Sequence, residues 1–584
     1  MSFTNSHAHD SNGTPVPTHP LIISNKPHPT VNSFPVYSPA TGKLLHHFSS
    51  ASIDDADAAL SSAQAAQPKW KTLPPSKKRD IFIKAAQIMD SRREELTKYM
   101  ADETGASAPW GAFNLNLASE ILRDVAGRLS SISGSIPQTA TEGVSALVLK
   151  EPYGVILAIA PWNAPYILGI RAIIYALAAG NTAILKAPEF SPMCSTGIVT
   201  SLQQAGLPPG VLNLLAHRPE DAASITKHLI SSPIIKKVNF TGSTAVGKII
   251  AELCGKTLKP VLLELGGKAP AIVWEDADLD LAAQECVVGS FSHGGQICMS
   301  TERIILHEKI AEEFEEKFKK AAAGFAPEGA EPPVLINSAG VAKNQRLLKD
   351  AVEKGATILH GNYEEGKGTK MMPVVVKGTK KGMDLFYTES FGPTVSVMTV
   401  SSEEEALELA NDTEYGLSAA VFTRDLLRGL RMARGIESGA VHINGMTVHD
   451  ETALPHGGEF PPYLLITSHF FWTMIDDCRY ESEWVWEVWS NWFGGMDADE
   501  NYHVQGLNPS LLSCHLLMKF CIACTLSIFA LIGYQPRVSC TADPFHATTQ
   551  AQRQSLIRLL ASFPPSNPTS LLQNPLQTYF SLPL

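Results

Sequence analysis

The sequence predicts an α/β fold built around a mostly parallel sheet. Three apolar runs have the length and composition of buried strands: Gly154–Ala160, Thr182–Leu185 and Lys237–Phe240. The third run leads through Thr241-Gly242-Ser243 into a helix predicted from about Ala245 to Cys254. Repeated units of strand, turn and helix place parallel strands side by side with helices on their faces. Because 584 residues are too many for one core, we expect two or three domains.

The N-terminal part of the chain is predicted to be scaffold. Residues Met1–Thr30 are rich in His, Ser, Asn and Pro and carry no charged-then-apolar signal, which predicts a disordered leader on a cytoplasmic protein. A polar-apolar alternation around a Pro-Ala-Thr-Gly turn predicts a hairpin over Phe34–His47. Runs rich in Ala, Lys and Glu predict two helices within Ser52–Ala101.

A second α/β unit is predicted beyond residue 300. Ile304–His307 has the pattern of a strand, and Ile310–Ala323 and Val341–Gly355 have the pattern of helices. The stretches Asn411–Thr423 and Ala440–Asn444 are predicted to be further helix-to-strand connections. These elements make the second unit a separate α/β layer structure.

Composition and charge argue against several classes of partner. The formal net charge of −11 argues against nucleic acid and against an anionic membrane, since either partner favours a basic patch. Through residue 458 the cysteines are sparse, with no disulfide or zinc spacing among Cys194, Cys254, Cys286 and Cys298. We therefore expect a reducing compartment and no metal site.

The best candidate for chemistry lies within Val261–Arg303. Glu264 stands just before Gly266-Gly267-Lys268, and a predicted helix, Asp278–Phe291, separates this acid from Cys298, so the two ends can meet at one site. A thiolate attacks an aldehyde carbonyl, and a carboxylate can activate water to cleave the resulting thioester. Taken alone, a cysteine is more often a small core residue, and a glutamate is usually a solvated surface group.

The turn after the third predicted strand is a candidate anion site. A strand, a glycine turn and a helix N-terminus present free backbone N–H groups and the positive end of the helix dipole, which suits a pyrophosphate. The stretch Thr241–Gly247 lacks the GxGxxG pattern, so this signal is weak by itself.

Seven strings together resemble the aldehyde dehydrogenase superfamily. They follow the family's order through most of the chain before Gly458: PWNAP (Pro161–Pro165), KAPE (Lys186–Glu189), FTGSTAVG (Phe240–Gly247), ELGGK (Glu264–Lys268), GQICMSTER (Gly295–Arg303), ESFGP (Glu389–Pro393) and NGMTVHDE (Asn444–Glu451). The resemblance implies a Rossmann-like cofactor domain, an α/β catalytic domain and a small β hairpin for oligomerisation. It also implies oxidation of an aldehyde to a carboxylic acid through a cysteine thioester, with NAD expected over NADP.

The resemblance also implies domain boundaries. The NAD-binding domain is expected over 31–127 and 149–263, interrupted by the oligomerisation hairpin over 128–148. The catalytic domain is expected over 264–440, and residues 441–458 are expected to return toward the oligomerisation region. A homodimer or homotetramer is implied.

Each motif carries an implied role. Cys298 is the expected nucleophile, Glu264 the base for thioester hydrolysis, and the Asn163 amide with the Cys298 N–H the oxyanion donors. Lys186 and Glu189 are expected at the adenosine ribose, where an acid disfavours a second phosphate. The other residues expected at the cofactor are Trp162, Gly242, Ser243, Gly247, Glu389 and Phe391. Without the resemblance, Asn163 could equally shape a turn between prolines, and the remaining polar residues could be ordinary surface groups.

Two strings bear on the substrate. His449-Asp450-Glu451 and HGGQICMSTERI resemble the branch of the family that acts on aromatic aldehydes such as salicylaldehyde or vanillin. An aliphatic aldehyde or a semialdehyde on the same machinery is the alternative.

The resemblance stops at Gly458. Beyond it lie five of the nine tryptophans and five of the nine cysteines, so the composition changes abruptly at this point. Leu511–Tyr534 is apolar enough to resemble a membrane span but contains His515 and Lys519.

Back-translation accounts for this departure. Gly458–Phe460 can encode a GTGAGT splice donor, and Cys478-Arg479 can encode a TGTAG splice acceptor. Removing the bases between them shifts the frame, and with permissible codons Arg479–Leu507 then encode GMSQSGFGRFGVIGLEEWMRTRIITFKD and a stop. That string resembles the missing end of the family, so we infer that residues 459–584 translate a retained intron and an out-of-frame exon. The 584-residue chain could accordingly be a catalytically dead product.

Overall fold

The computed structural model describes residues 8–9, 15–327, 329–454 and 456–458. The strands, in chain order, are β1 (Ala8–His9), β2 (Pro15–Val16), β3 (Thr18–His19), β4 (Leu21–Ile23), β5 (Lys26–His28), β6 (Ser33–Tyr37), β7 (Leu44–Ser49), β8 (Val155–Ile159), β9 (Thr182–Lys186), β10 (Leu212–Leu215), β11 (Ile235–Thr241), β12 (Val261–Glu264), β13 (Ala269–Val273), β14 (Thr301–His307), β15 (Thr357–His360), β16 (Val374–Lys377), β17 (Thr394–Val400), β18 (Ser418–Phe422) and β19 (Ala440–Ile443).

The helices, in chain order, are α1 (Ile53–Lys71), α2 (Pro75–Ser91), α3 (Arg93–Thr104), α4 (Ala108–Arg128), α5 (Pro165–Ala178), α6 (Pro192–Gln204), α7 (Ala222–Ser231), α8 (Thr244–Lys256), α9 (Leu279–Phe291), α10 (Ala311–Phe325), α11 (Ser338–Glu353), α12 (Asp384–Tyr387), α13 (Glu403–Asn411) and α14 (Leu426–Gly435). Among the described residues, no helix is long and apolar enough to cross a membrane. The inferred intron and out-of-frame exon, with the apolar stretch Leu511–Tyr534, lie outside the described residues.

The first sheet has seven strands in the order β12-β11-β8-β9-β10-β4-β5. The five strands from β12 to β10 run parallel, and β4 and β5 continue the sheet in antiparallel pairing. The chain builds outward from β8 through β9 to β10 on one side, and places β11 and β12 on the other. This reversal between β8 and β11 is a topological switch point, where open α/β sheets bind ligands beyond the carboxyl ends of their strands.

The second sheet also has seven strands, in the order β15-β16-β17-β14-β13-β18-β19. Its pairings are parallel except for the antiparallel edge pair of β15 and β16. The predicted α/β class with mostly parallel sheets is therefore confirmed. The hairpin predicted over Phe34–His47 is also present, because β6 and β7 pair antiparallel.

Residues 18–28 are ordered strands, so the predicted disorder of Met1–Thr30 is wrong for that part. β4 pairs with β10 at the edge of the first sheet, and the Leu21 side chain is fully buried. The Asn213 side chain also accepts a hydrogen bond from the Ser24 N–H at 2.9 Å. The apolar triplet Leu21–Ile23 buries enough surface to order a segment whose overall composition is polar.

Two other expectations differ from the structure. The hairpin expected over 128–148 is joined by one isolated antiparallel bridge between Ser135 and Val148 rather than by two strands. A two-stranded ribbon without a core to cover it is marginally stable, which explains the single bridge. Residues 441–443 belong to β19 in the second sheet, so the segment 441–458 does not simply return toward the hairpin.

Candidate active site

Glu264 is the last residue of β12, at the carboxyl edge of the first sheet. Its side chain is 3% exposed, and its Oε1 atom accepts no hydrogen bond from the described residues. The glycines that follow allow another loop to approach closely: a Cβ added to Gly267 would stand 2.0 Å from the Cys298 carbonyl oxygen. The structure thus brings the predicted base and the predicted nucleophile segment together, as their sequence order suggested.

Cys298 follows a tight turn after α9. His293, Gly294 and Gly295 all adopt positive φ, and a Cβ on Gly295 would stand 2.0 Å from the Gly392 carbonyl oxygen. Only glycine fits such a conformation against neighbouring backbone. The turn reverses the chain so that Cys298 lies beside the loop after β12.

Asn163 lies on the other side of this turn, just before α5. Its Nδ2 atom donates to the Gln296 carbonyl oxygen at 3.0 Å, two residues before the cysteine. Its own carbonyl oxygen accepts a hydrogen bond from Trp110 Nε1 at 3.0 Å. One hydrogen bond therefore holds the Asn163 side chain next to the loop of Cys298, and the other holds its backbone. An oxyanion donor requires this kind of preorganisation.

The thiol of Cys298 lies in an environment that opposes its ionisation. Burial, followed by the carboxylates of Glu264 and Glu389, raises the pKa of the Cys298 thiol well above its ordinary value, while Arg171 opposes the shift. A thiolate is the reactive form of cysteine, so attack requires that a nearby base or a cation favour deprotonation. Glu264 and Glu389 are the two carboxylates whose charges act most strongly on the thiol.

Lys186 and Glu189 stand at the carboxyl end of β9, next to the switch point. Their charged atoms are 3.8 Å apart, and the Glu189 side chain keeps 33% of its surface exposed. Burial lowers the pKa of the Lys186 ammonium, although the Glu189 carboxylate opposes that shift. A cavity of about 990 Å³ opens beside Glu189 and Phe190, with Arg218 on its wall.

The turn before α8 uses some of its donors internally. The Gly242 N–H donates to the Glu264 carbonyl oxygen at 3.0 Å, and Ser243 caps the helix by accepting from the Val246 N–H at 3.4 Å. Gly247 packs against Leu265, whose Cδ2 a Cβ would approach to 2.4 Å. Gly242 and Gly247 therefore shape the turn and the packing. The first-turn N–H groups of Thr244 and Ala245 are of the kind that a helix leaves without an intrahelical acceptor.

The ESFGP segment is held by a buried ion pair. Lys268 donates to Glu302, which in turn accepts hydrogen bonds from the N–H groups of Ser390 at 2.7 Å and Phe391 at 3.2 Å. Phe391 has φ near 48°, a strained conformation for a residue with a large side chain, and Glu302 fixes it there. Neither Lys268 nor Glu302 was predicted as a site residue, since their pairing is visible only in three dimensions.

Glu389 and the aromatic rings complete this side of the site. Glu389 Oε1 accepts a hydrogen bond from the Gly267 N–H at 2.9 Å, and burial followed by the nearby Glu302 raises the pKa of the Glu389 carboxyl to about 7. The Trp162 and Phe391 rings stand 5.8 Å apart and nearly perpendicular. The exposed carboxylate at Glu189, the helix N-terminus and these rings fit the ribose, pyrophosphate and nicotinamide parts of a dinucleotide.

Trp110 and a buried charged cluster were missed by the sequence analysis. Trp110 stacks on His293 with ring centroids 5.5 Å apart and packs against the apolar cluster that includes Cys298. Arg171 of α5 binds Asp450 at 2.6 Å, and both side chains are 6% exposed. A tryptophan within a helix and an arginine among apolar residues carry no local functional signal. Their partners are distant in sequence, which is why only the fold reveals them.

Two mostly parallel sheets, with a half-buried cysteine and a buried glutamate on neighbouring glycine-containing loops, are the architecture of an α/β enzyme. The chain belongs to the aldehyde dehydrogenase family, whose sequence model matches residues 27–459. It is 44% identical over 446 residues to a vanillin dehydrogenase of Pseudomonas fluorescens, covering 75% of this chain and 92% of that protein.

Solved structures share this fold. A salicylaldehyde dehydrogenase from Pseudomonas putida G7, complexed with salicylaldehyde, matches with a TM-score of 0.74 and 38% identity, covering 76% of this chain and 93% of that chain. An NADP-dependent glyceraldehyde-3-phosphate dehydrogenase from Bacillus halodurans C-125, complexed with NADP, matches with a TM-score of 0.72 and 30% identity, covering 76% and 94%. The family thus includes members that differ in substrate, and at least one of them binds NADP.

Proposed function

We propose that the protein oxidises an aromatic aldehyde to the carboxylic acid, with NAD as the electron acceptor. The observation that carries this proposal is the meeting of three segments at Cys298: the Asn163 amide, the glycine loop after Glu264 and the turn Ser292–Gly295. A nucleophile, an oxyanion donor and a base on separate elements suit acyl chemistry at a carbonyl.

The reaction begins at the Cys298 sulfur. The thiolate forms a bond to the aldehyde carbon, and the carbonyl oxygen becomes an oxyanion held by Asn163 Nδ2 and the Cys298 N–H. A nicotinamide ring bound beside Trp162 and Phe391 would supply the hydride acceptor and a positive charge that favours the thiolate. Loss of hydride from the carbon leaves a thioester on Cys298. Glu264 then removes a proton from water, which attacks the thioester and releases the acid.

An aromatic substrate is supported by the side chains around the thiol. Trp110 packs with Cys298 in an apolar cluster whose other members are Ile297, Met299, Leu417, Met446 and Val448. A semialdehyde carries a carboxylate besides its aldehyde group, and that carboxylate needs a cation, whereas the nearby Arg171 already binds Asp450. The vanillin and salicylaldehyde dehydrogenases to which this chain is similar favour the same reading.

NAD is favoured over NADP by the charge at Glu189. A carboxylate beside the adenosine ribose accepts hydrogen bonds from its hydroxyls and repels a 2′-phosphate. Because Glu189 is partly exposed, we expect discrimination of about 1 to 3 kcal/mol in kcat/KM. The Glu189→Gln variant should reduce the ratio of kcat/KM with NAD to kcat/KM with NADP. Glu220→Gln, on the rim of the same cavity, should leave that ratio unchanged. Equal kcat/KM for both cofactors in the unchanged protein contradicts this assignment.

The proposal is tested by following NADH formation from the purified protein whose chain after Gly458 follows the alternative reading frame. Salicylaldehyde, vanillin and benzaldehyde should give higher kcat/KM than hexanal or succinate semialdehyde. Preference for an aliphatic or dicarboxylic substrate overturns the aromatic assignment but leaves the oxidation itself in place. A folded protein that forms no NADH from any aldehyde in the panel overturns the proposed function.

A further inference from the structure

A histidine stands against the proposed base. His456 Nε2 lies 3.4 Å from Glu264 Oε1, and the two side chains are 9% and 3% exposed. On its other edge, His456 Nδ1 lies 3.9 Å from Asp450 Oδ1, and Asp450 Oδ2 binds Arg171 Nη2 at 2.6 Å. Four residues from three distant parts of the chain thus form a buried row, Arg171–Asp450–His456–Glu264, which we call the histidine relay.

The contact between His456 and Glu264 requires a proton. An ionised carboxylate only accepts hydrogen bonds, and an imidazole nitrogen without its hydrogen also accepts. Two acceptors repel at this distance, so the contact is favourable when one proton lies on either side chain. Glu264 Oε1 accepts no hydrogen bond from the described residues, and an N–H at His456 Nε2 would supply the donor that this oxygen lacks.

The other end of the relay is fixed in charge. Burial raises the pKa of the Asp450 carboxyl. Arg171 and then His456 lower it by a larger amount, so the pKa of Asp450 lies below its ordinary value. Asp450 is therefore ionised and attracts a proton on the imidazole. A buried pair such as Arg171 and Asp450 holds its geometry well, because breaking it leaves an uncompensated charge.

We propose that His456 is a positioning residue for Glu264, orienting the carboxylate by an Nε2–H that it donates to Oε1. This role rests on the proposed function, because it concerns hydrolysis of the thioester. The water oxygen bonds to the thioester carbon as one water proton passes to Glu264. The carbon–sulfur bond then breaks, its electron pair returns to Cys298 Sγ, and the Glu264 proton passes to that sulfur.

Other titratable groups surround the relay and belong in the interpretation of any pH profile. Arg171 and Asp450 face His456 from α5 and from the loop after β19, and Glu264 faces it from β12. The groups that couple to these residues in turn are Cys298, His449, Tyr175 and Glu389. A change at His456 should therefore alter the pH dependence of hydrolysis in particular.

The test separates acylation from hydrolysis in the protein whose chain after Gly458 follows the alternative reading frame, using salicylaldehyde and NAD. His456→Leu should keep a burst of about one NADH per subunit, while the steady-state kcat falls on the order of 10- to 100-fold. His456→Gln, which can donate to Glu264 but cannot titrate, should recover part of kcat and lose the pH dependence that the imidazole contributes. His360→Gln on β15, remote from the relay, is the control and should match the unchanged protein.

Each contrary result has a distinct meaning. A steady-state kcat for His456→Leu within about twofold of the unchanged protein overturns the role of His456 alone. Equal loss of burst and steady state in both His456 variants also overturns it, since the residue would then serve folding or acylation. If the unchanged protein forms no NADH, the proposed function fails and the relay fails with it.

Discussion

Cys298 lies between two carboxylates that belong to different parts of the site. Glu264 is the last residue of β12 in the first sheet. Glu389 lies in the loop before β17, which Glu302 of the second sheet holds by hydrogen bonds. After burial, these two carboxylates are the groups that raise the pKa of the Cys298 thiol most.

We predict that Cys298→Ser lowers turnover by on the order of a thousandfold or more while cofactor binding stays near normal, because a hydroxyl lacks the nucleophilicity of a thiolate. NADH formation and NAD binding by calorimetry provide the two measurements. Cys286→Ala is the matched control, since this cysteine is buried in α9 and takes no part in the chemistry. Comparable turnover by the serine variant removes Cys298 from the nucleophile role.

The raised pKa of Glu389 makes stability depend on pH. Its carboxyl has a pKa of about 7 in the folded protein and an ordinary value of 4.5, so between these pH values the folded state holds a proton that the unfolded state has lost. The free energy of unfolding should fall as pH rises through this window, by about 3 kcal/mol relative to Glu389→Gln, and level off above it.

Chemical unfolding of the two proteins from pH 4.5 to 8 measures this difference. Glu312→Gln on α10 is an exposed control and should show the pH dependence of the unchanged protein. A stability difference between the unchanged protein and Glu389→Gln that stays constant across the range contradicts the prediction.

At the residue scale, the sequence identified the groups whose motifs are local. Glu264, Cys298 and Asn163 stand in short strings, and the fold brings those strings together. The histidine relay could not be assembled from strings, because Asp450 stands in NGMTVHDE whereas Arg171, 279 residues away, stands in none of them. Glu302 was likewise hidden, since a charged residue at the start of an apolar strand gives no sign of the loop it will hold. Pairings of this kind follow from topology.

At the element scale, periodicity predicted the helices and strands of the interior better than those near the N-terminus. The region Ser52–Ala101 was expected to hold two helices, whereas α1, α2 and α3 fill it, because Arg92 leaves the helical conformation between α2 and α3. The strands β3 to β5 were missed for a different reason. They are short and come from a polar segment, and their order depends on pairing with β10 and β7.

We predict that Leu21→Ala destabilises the protein by about 2 to 5 kcal/mol, because the leucine is fully buried beneath the first sheet and its removal leaves a cavity. Chemical or thermal unfolding measures the change. Val31→Ala is the control: that side chain is fully exposed, and its truncation should have little effect. Equal stability of the two variants shows that β4 does not contribute to the folded core.

The exposed apolar residues near the single-bridge hairpin also belong to this scale. Ile136, Val144, Leu147 and Leu149 are each more than half exposed, which is more apolar surface than a short segment usually leaves in water. We propose that this segment contacts another subunit, consistent with the homo-oligomer expected from the family resemblance.

At the scale of the whole molecule, the site depends on both sheets. The first supplies Glu264, Asn163 and the switch point, and the second supplies the strand after Cys298 and the loop that carries Glu389. The last described residues close this arrangement. His456 faces Glu264. Gly457 lies next to Gly439, where a Cβ added to Gly439 would stand 1.7 Å from the Gly457 carbonyl oxygen.

The point at which the family pattern ends coincides with this closure. The family match runs through residues 27–459, and the alternative reading frame after Gly458 begins GMSQSGFGRFG. We predict that transcripts lacking the bases that encode residues 459–478 are present, and that they encode a protein ending in ITFKD. That protein should purify as an active homo-oligomer. Sequencing of the messenger tests the genetic part, and side-by-side expression tests the protein. A messenger that uniformly keeps those bases, translated into an active and well-folded 584-residue protein, contradicts the inference.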